Sequence, residues 1–368
     1  MSAAGVVGST WRRSTRWWDS GRLWSGARAD LAVLVAMAAL CLLQNPGAVA
    51  FDTKLDLLVD PGAFLTRALD AWDPTANFGQ VQNQAYGYLF PMGPVFWLLH
   101  AVGLPPWLVQ ASWAFLALAA AYLGCRVLCR RLGMTALAGI AAALAYALAP
   151  RLVTVLGPLS AEAWPVALLP WAMAPLLGTP VLSRRRAAGL SALAVLLMGA
   201  ANAALTLAVL PAVGLALLAR RDLRLAALWS GFVAMVSVWW VVPLLVQARV
   251  ATPFLDLIES ATVTTSSNDP AAVLRGTDHW VAGIVGVDGP WWPAGHDLLT
   301  VPLLVVVTVL VASVGLLGLV AGRVPHRRLW AAILLLGFVI LVLGSATAPG
   351  SPFRDAWISA LDGPLVPF

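Results

Sequence analysis

Long apolar runs, parted by short breaks of charge, proline or glycine, fill most of the chain. They fall at residues 30–44, 106–128, 135–149, 162–177, 186–200, 203–218, 225–246, 299–320 and 329–343. Runs this uniformly apolar predict helices surrounded by lipid, not helices with a single buried stripe. Nine crossings follow. Several runs are shorter than the roughly 20 residues that span a bilayer, which leaves their ends loosely defined. One more apolar stretch, residues 86–103 (YGYLFPMGPVFWLLHAVG), is interrupted by Pro91, Gly93 and Pro94. As a crossing it would invert everything after it. It is therefore expected to be a re-entrant or interfacial helix whose backbone is covered by protein.

Composition supports this reading. The 368 residues are 60% hydrophobic and 11% charged, where a soluble domain carries about 25% charged residues. The net charge of +6 is not a nucleic-acid signal, because the arginines sit in short clusters between apolar runs. Nine crossings that start in the cytoplasm sort the charges into 17 basic and 3 acidic residues inside, against 6 basic and 14 acidic outside. A wrong crossing count would scramble that separation. The expectation is an all-α, polytopic transmembrane bundle in the plasma membrane, N-terminus cytoplasmic, long loops and C-terminus extracytoplasmic.

Residues 1–29 form a basic tail in which Trp11, Trp17, Trp18 and Trp24 lie among arginines, suited to a cytoplasmic arm on the membrane surface. Residues 30–368 form one transmembrane domain. The 13-residue apolar run at 31–43, followed by Ala48-Val49-Ala50, also fits a cleaved signal peptide. The 30 residues before it are too many for a normal basic n-region and favour a retained helix. Cys41, Cys125 and Cys129 lie in or beside apolar segments and lack the partners of a metal site, so they are read as packing residues.

The outer loops at 45–105 and 247–298 are long, and the inner connections are short, so function is expected to face outward. The first loop opens with FDTKLDLLVD, which holds Asp52, Asp56, Asp60 and the only lysine, Lys54. Carboxylates at an interface can take a proton from a hydroxyl or hold a cation, and a lysine can meet a phosphate. Helix capping at a membrane boundary is the competing explanation. Phe64, Leu65, Ala68, Leu69 and Trp72 then form a stripe at helical spacing, with Arg67, Asp70 and Asp73 opposite, which predicts a helix lying in the membrane surface. Gln80, Gln82, Asn83 and Gln84 follow as neutral hydrogen-bonding groups of the kind sugars favour.

Glu162 opens an apolar run between Pro158 and Pro165, with Arg151 in the same loop. An ionisable group at membrane depth is costly and points to function, although a helix N-terminus also favours a carboxylate. Asn202, in a tight outer turn, is a substrate contact or a turn residue. Asp256 and Glu259 lie three residues apart in the second long loop. Trp280, Trp291 and Trp292 suit an interfacial belt or sugar stacking, and His279 and His296 lack metal-like spacing. No P-loop, dinucleotide fingerprint or nucleophile elbow is present.

Three stretches carry a resemblance: FDTKLDLLVDPGAFLTRALDAWDPTANFGQVQNQAYGYLFPMGP, LGPLSAEAWPVALLPWAMAPLL, and PFLDLIESATVTT with LRGTDHW. Together they resemble the N-terminal membrane region of the large actinobacterial α-(1→3)-arabinofuranosyltransferases, the D group. The likeness runs from about Asp30 to the end. It implies a GT-C glycosyltransferase fold, with decaprenylphosphoryl arabinofuranose as donor and cell-wall arabinan (arabinogalactan or lipoarabinomannan) as acceptor. It also implies an essential carboxylate in the first outer loop, matched best by Asp52 and next by Asp56. Lys54 and Arg151 would then meet the leaving phosphate. The mechanism admits a divalent cation, for which the sequence defines no ligand set. Members of that family are far longer, so a downstream region is expected to be missing here. A non-catalytic scaffold of the cell-wall machinery and a polyprenyl-linked glycan transporter are the alternatives.

Overall fold

The computed structural model describes residues 26–50, 54–74, 79–81, 85–250, 268–321 and 324–342. The protein is mostly helical, and the only strands among the described residues are two short hairpins. Each of the nine predicted apolar runs contains a helix: α1 (Ala27–Leu43), α5 (Pro106–Arg131), α6 (Ala136–Ala147), α8 (Ser160–Met173), α9 (Arg184–Met198), α10 (Ala203–Arg220), α11 (Leu223–Val250), α14 (Pro302–Val320) and α15 (Arg327–Val342). Four of these, α5, α10, α11 and α14, are long and apolar enough to cross a membrane. Between them lie short helices: α2 (Leu55–Val59), α3 (Pro61–Arg67), α4 (Met92–Ala101), α7 (Pro150–Val155), α12 (Pro270–Arg275) and α13 (Pro293–Thr300).

Helix α5 is the axis of the bundle, with α1, α6 and α8 packed around it. The approach of α8 is close because Gly124 has no side chain. A Cβ there would lie 2.5 Å from the Trp171 indole nitrogen, which instead donates to the Ala120 carbonyl at 2.8 Å. Helix α8 also packs on α9 and α10, and α9 on α11. Ser191 ties three of these together: its hydroxyl donates to the Ala172 carbonyl at 2.7 Å and accepts from the Trp229 indole at 2.9 Å. Such bonds matter where no water can satisfy a buried donor. Helix α14 is apolar on all sides yet buries only Thr308. Water would not tolerate so large an apolar surface; lipid does.

The basic turns gather at one end of the bundle. There Asp30, buried in the first turn of α1, accepts from Arg126 Nε and Arg130 Nη2, each at 2.7 Å, and from the Tyr122 hydroxyl at 2.6 Å. Arg184 pairs with Asp222 at 2.7 Å, and Arg131 donates to the carbonyls of Ala174, Leu177 and Pro180. The other end holds the acid-bearing segments.

At that acidic end, α2, α3 and α4 pack with the start of α5 around Leu57, Leu58, Phe64, Phe96 and Trp113. One expectation is corrected here. The surface helix predicted through Trp72 stops at Arg67. Trp72–Asp73 (β1) instead pairs antiparallel with Gln80–Val81 (β2), and Leu69 and Trp72 are exposed. Phe64 and Ala68 are buried in protein, so only part of the stripe is a packing face. The 86–103 stretch becomes a 3₁₀ turn at Ala85–Leu89 followed by α4, ten residues long and too short to cross. The turn docks where Gly87 meets the backbone of Ala200, at the connection between α9 and α10.

Candidate active site

Glu162 lies in the first turn of α8, its backbone N–H bonded to the Leu159 carbonyl at 2.8 Å. Pro150 starts α7 one residue before Arg151, so a short loop separates the two charged residues in sequence. The structure closes that loop. Arg151 Nη2 donates to Glu162 Oε2 at 2.9 Å, and Arg151 Nη1 donates to the Asp278 carbonyl at 3.3 Å. The second long loop thus folds back over the start of α8. It also brings in His279, whose Nε2 sits 3.7 Å from the same Oε2.

The His279 tautomer follows from its other nitrogen. Nδ1 accepts the Val281 N–H at 3.2 Å, so a neutral ring carries its proton on Nε2, facing the carboxylate. The imidazole is buried and meets Trp292 edge to face, centroids 4.6 Å apart. Arg151 and His279 both converge on Oε2. Glu162 Oε1 has no hydrogen-bond partner among the described residues and remains available. A cavity of about 20 Å³ lies beside it, lined by Arg151, Leu152, Val155, Ala163 and Leu205. That volume holds about one water molecule.

Electrostatics at the cluster reflect its shelter. Burial lowers the Arg151 pKa, against the opposing pull of Glu162 and Asp278. Burial also raises the Asp278 carboxyl above its ordinary value. The His279 imidazole is pushed below 6.5 by burial, partly offset by its bond to Glu162. The ring is thereby biased to its neutral form near neutral pH.

Other predicted residues have different placements. Asp56 is in the first turn of α2, half exposed, and accepts from Arg67 at 2.9 Å. Lys54 precedes α2 and makes no ion pair among the described residues. Arg151 is committed to Glu162, so the two cations expected to share a phosphate are not equivalent. Asp60 caps α3 by accepting from Ala63 N–H at 2.9 Å. Asn202 caps α10 by accepting from Leu205 N–H at 2.9 Å. Asp52, Gln82, Asn83, Asp256 and Glu259 lie outside the described residues.

The first loop nonetheless approaches the cluster. Ala50, just before residues 51–53, bonds through its N–H and carbonyl to the Gln110 side chain at 2.7 and 3.0 Å. Its Cβ faces Gly157, shortly before Glu162. Cys125 and Cys129 place their sulfurs 4.0 Å apart in the helical interior. Among the described residues, no group of three or more His, Cys, Asp or Glu side chains is arranged to hold a metal. Sequence reasoning missed His279 because it asked of the histidines only whether they had metal spacing. Trp292 is buried beneath it instead of joining a surface belt, whereas Trp291 is exposed.

Residues 36–368 match the family described as alpha-(1->3)-arabinofuranosyltransferase, N-terminal GT-C domain. The chain belongs to this family. An alpha-(1->3)-arabinofuranosyltransferase of Mycobacterium tuberculosis is 40% identical over 353 residues, covering 92% of this chain and 25% of that protein. The counterpart from Mycolicibacterium smegmatis is 39% identical over 344 residues, covering 91% and 24%. The cryo-EM structure of arabinofuranosyltransferase AftD from mycobacteria superposes with a TM-score of 0.61 at 35% identity, over 92% of this chain and 26% of that one. A mutant form of that protein gives the same TM-score at 34% identity, over 92% and 27%. The chain therefore spans about a quarter of the length of these relatives. With its apolar helices, it is a membrane protein of the GT-C glycosyltransferase type.

Proposed function

We propose that this chain forms the membrane-embedded catalytic region of a glycosyltransferase that moves arabinofuranose from decaprenylphosphoryl arabinofuranose to cell-wall arabinan. Family membership supports the reaction class. The observation that carries the site is the carboxylate of Glu162, gripped through Oε2 by Arg151 and His279 with Oε1 left available. It stands at the same end of the bundle as the first-loop acids. In single displacement a carboxylate takes the proton of the acceptor hydroxyl. The hydroxyl oxygen then bonds to the anomeric carbon, and the bond from that carbon to the phosphate oxygen breaks, releasing polyprenyl phosphate.

Asp52 is the first choice for the base, by its match to the family's first-loop acid, and Asp56 and Glu162 are the others. Asp56 already faces a cation, because Arg67 occupies one of its oxygens. Glu162 is better held but its cavity is too small for a sugar, which suits a residue that orients the acceptor or moves a proton through one water. Lys54, with no competing carboxylate among the described residues, is the cation best placed in sequence to meet the departing phosphate. Gln82, Asn83, Asp256 and Glu259 would supply further substrate contacts. A divalent cation would assist at the phosphate if the first-loop acids hold one. The bundle crosses the plasma membrane nine times with this acidic end extracytoplasmic. A downstream region of the kind the longer relatives contain completes acceptor binding.

The test is transfer of radiolabelled arabinose from decaprenylphosphoryl arabinofuranose in isolated membranes. It should be run with this chain alone and joined to the C-terminal region of a longer relative. Product with the joined protein supports the assignment. No product in either form, with both proteins folded in the membrane, overturns it.

A further inference from the structure

The second cavity lies at the opposite, basic end, between the C-terminal end of α10 and the start of α15. It is an open groove of about 420 Å³, lined by Ala219, Val324, His326, Arg327, Arg328 and Leu329. Its lining combines two chemistries. Ala219, Val324 and Leu329 are apolar, and next to them Leu218 and Val320 are largely exposed on the helix flanks. The remaining lining residues supply two guanidinium groups and an imidazole, with no acid among them.

Those cations stand where the fold does not favour them. Arg327 and Arg328 open α15, and the N-terminal end of a helix carries partial positive charge that prefers an anion. Arg220 and Arg221 add to the same corner, directly after Ala219. The described acids at this end are already taken: Asp30 by Arg126 and Arg130, Asp222 by Arg184. The turn itself is fixed, because the Trp330 indole donates to the Pro325 carbonyl at 2.8 Å and His326 O accepts from Leu329 N–H at 2.8 Å. A preset cationic pocket beside an apolar flank, at the end of an apolar membrane helix, complements one class of ligand. We propose that this groove binds the phosphate headgroup of an anionic membrane phospholipid, with the acyl chains along the exposed faces of α10 and α14. A free phosphate shares the charge but not the apolar half, so the proposal commits to the lipid.

Native mass spectrometry of the detergent-purified protein, titrated with phosphatidylglycerol or phosphatidylcholine, tests this directly. The intact protein should retain phosphatidylglycerol roughly tenfold or more over phosphatidylcholine, the scale expected from two guanidinium contacts. The double variant Arg327→Gln/Arg328→Gln should lose that preference, and Arg327→Lys/Arg328→Lys should largely keep it. Arg185→Gln, at the same end but outside the groove, should leave it unchanged. Millimolar inorganic phosphate should not displace the lipid. Equal retention of the two lipids, or equal loss in the Arg185→Gln control, would overturn the proposal. Displacement by phosphate would reduce the groove to a simple anion site and refute the lipid. If the glutamine variant fails to fold, the lipid preference of the intact protein and the lysine variant, with the phosphate competition, still decides.

Discussion

Removing the charge of Glu162 should unbalance the site in a way that a double-mutant cycle can measure. Glu162→Gln keeps the shape of the side chain, and its amide oxygen can still accept from Arg151. What disappears is the attraction between full charges. At the observed 2.9 Å, Coulomb's law with an effective dielectric constant near 20 gives about 6 kcal/mol. That is an upper bound, because the Arg151 side chain is 39% exposed while Glu162 is 16% exposed, and solvent screens the pair. Fully exposed pairs contribute about 0–1 kcal/mol, and breaking a buried one costs about 3–5 kcal/mol. An intermediate pair should therefore show a coupling of roughly 1–3 kcal/mol. Unfolding in mixed micelles of the intact protein, Arg151→Gln, Glu162→Gln and the double variant measures it. The double variant should be less destabilised than the sum of the two single changes. A coupling below about 0.5 kcal/mol, the scatter of independent sites, would mean that Arg151 does not anchor Glu162.

The pH response and the orientation can be checked separately. Because burial holds the His279 pKa below 6.5, the unfolded state binds more protons just below that pH, so stability rises with pH and is lost on acidification. Raising of the Asp278 carboxyl acts in the opposite sense at lower pH, as the pH falls through its own folded value. Hydrogen-exchange protection in residues 268–298, corrected for the intrinsic exchange rate at each pH, should therefore fall as pH drops from about 6.5, and His279→Gln should flatten the response. Unchanged protection of the intact protein through that range would refute it. For orientation, cysteines placed at Asn83 and Asp269 should react with an impermeant reagent on intact cells, and one at Arg185 should not. Labelling at Asn83 and Arg185 with protection at Asp269 would require residues 86–103 to be counted as a crossing, and the full reverse pattern would invert the whole chain.

Apolar patterning located helices well because lipid-facing helices need no stripe. The predicted 106–128 and 203–218 became Pro106–Arg131 and Ala203–Arg220, starting where proline or Asn202 sets the first turn. That Arg151 and Glu162 share one short loop was legible, but the sequence directed Arg151 to the phosphate, and their ion pair emerged only from the fold. His279 was not, because its place depends on the second loop folding over α8, a contact that no local pattern encodes. The stripe through Trp72 misled for the opposite reason. Five positions at helical spacing outweighed the Asp70–Asp73 segment, where the chain turns into a hairpin. Asn202 shows the limit of reading polar residues in turns, since only the folded chain reveals that its side chain caps α10 through Leu205 N–H.

The central claim is that a carboxylate at the acidic end activates the acceptor. Its most direct test is the initial rate of arabinose transfer from decaprenylphosphoryl arabinofuranose, compared across Asp52→Asn, Asp56→Asn, Glu162→Gln and Asp60→Asn in the joined, membrane-assembled protein. Asp60→Asn is the control, because asparagine caps a helix about as well as aspartate. Asp52→Asn should slow transfer by the ~10²–10⁴ that a general base contributes, with normal protein levels and an unaffected control. Loss confined to Asp56→Asn or Glu162→Gln would move the base to that residue, and wild-type rates in all three would contradict the account.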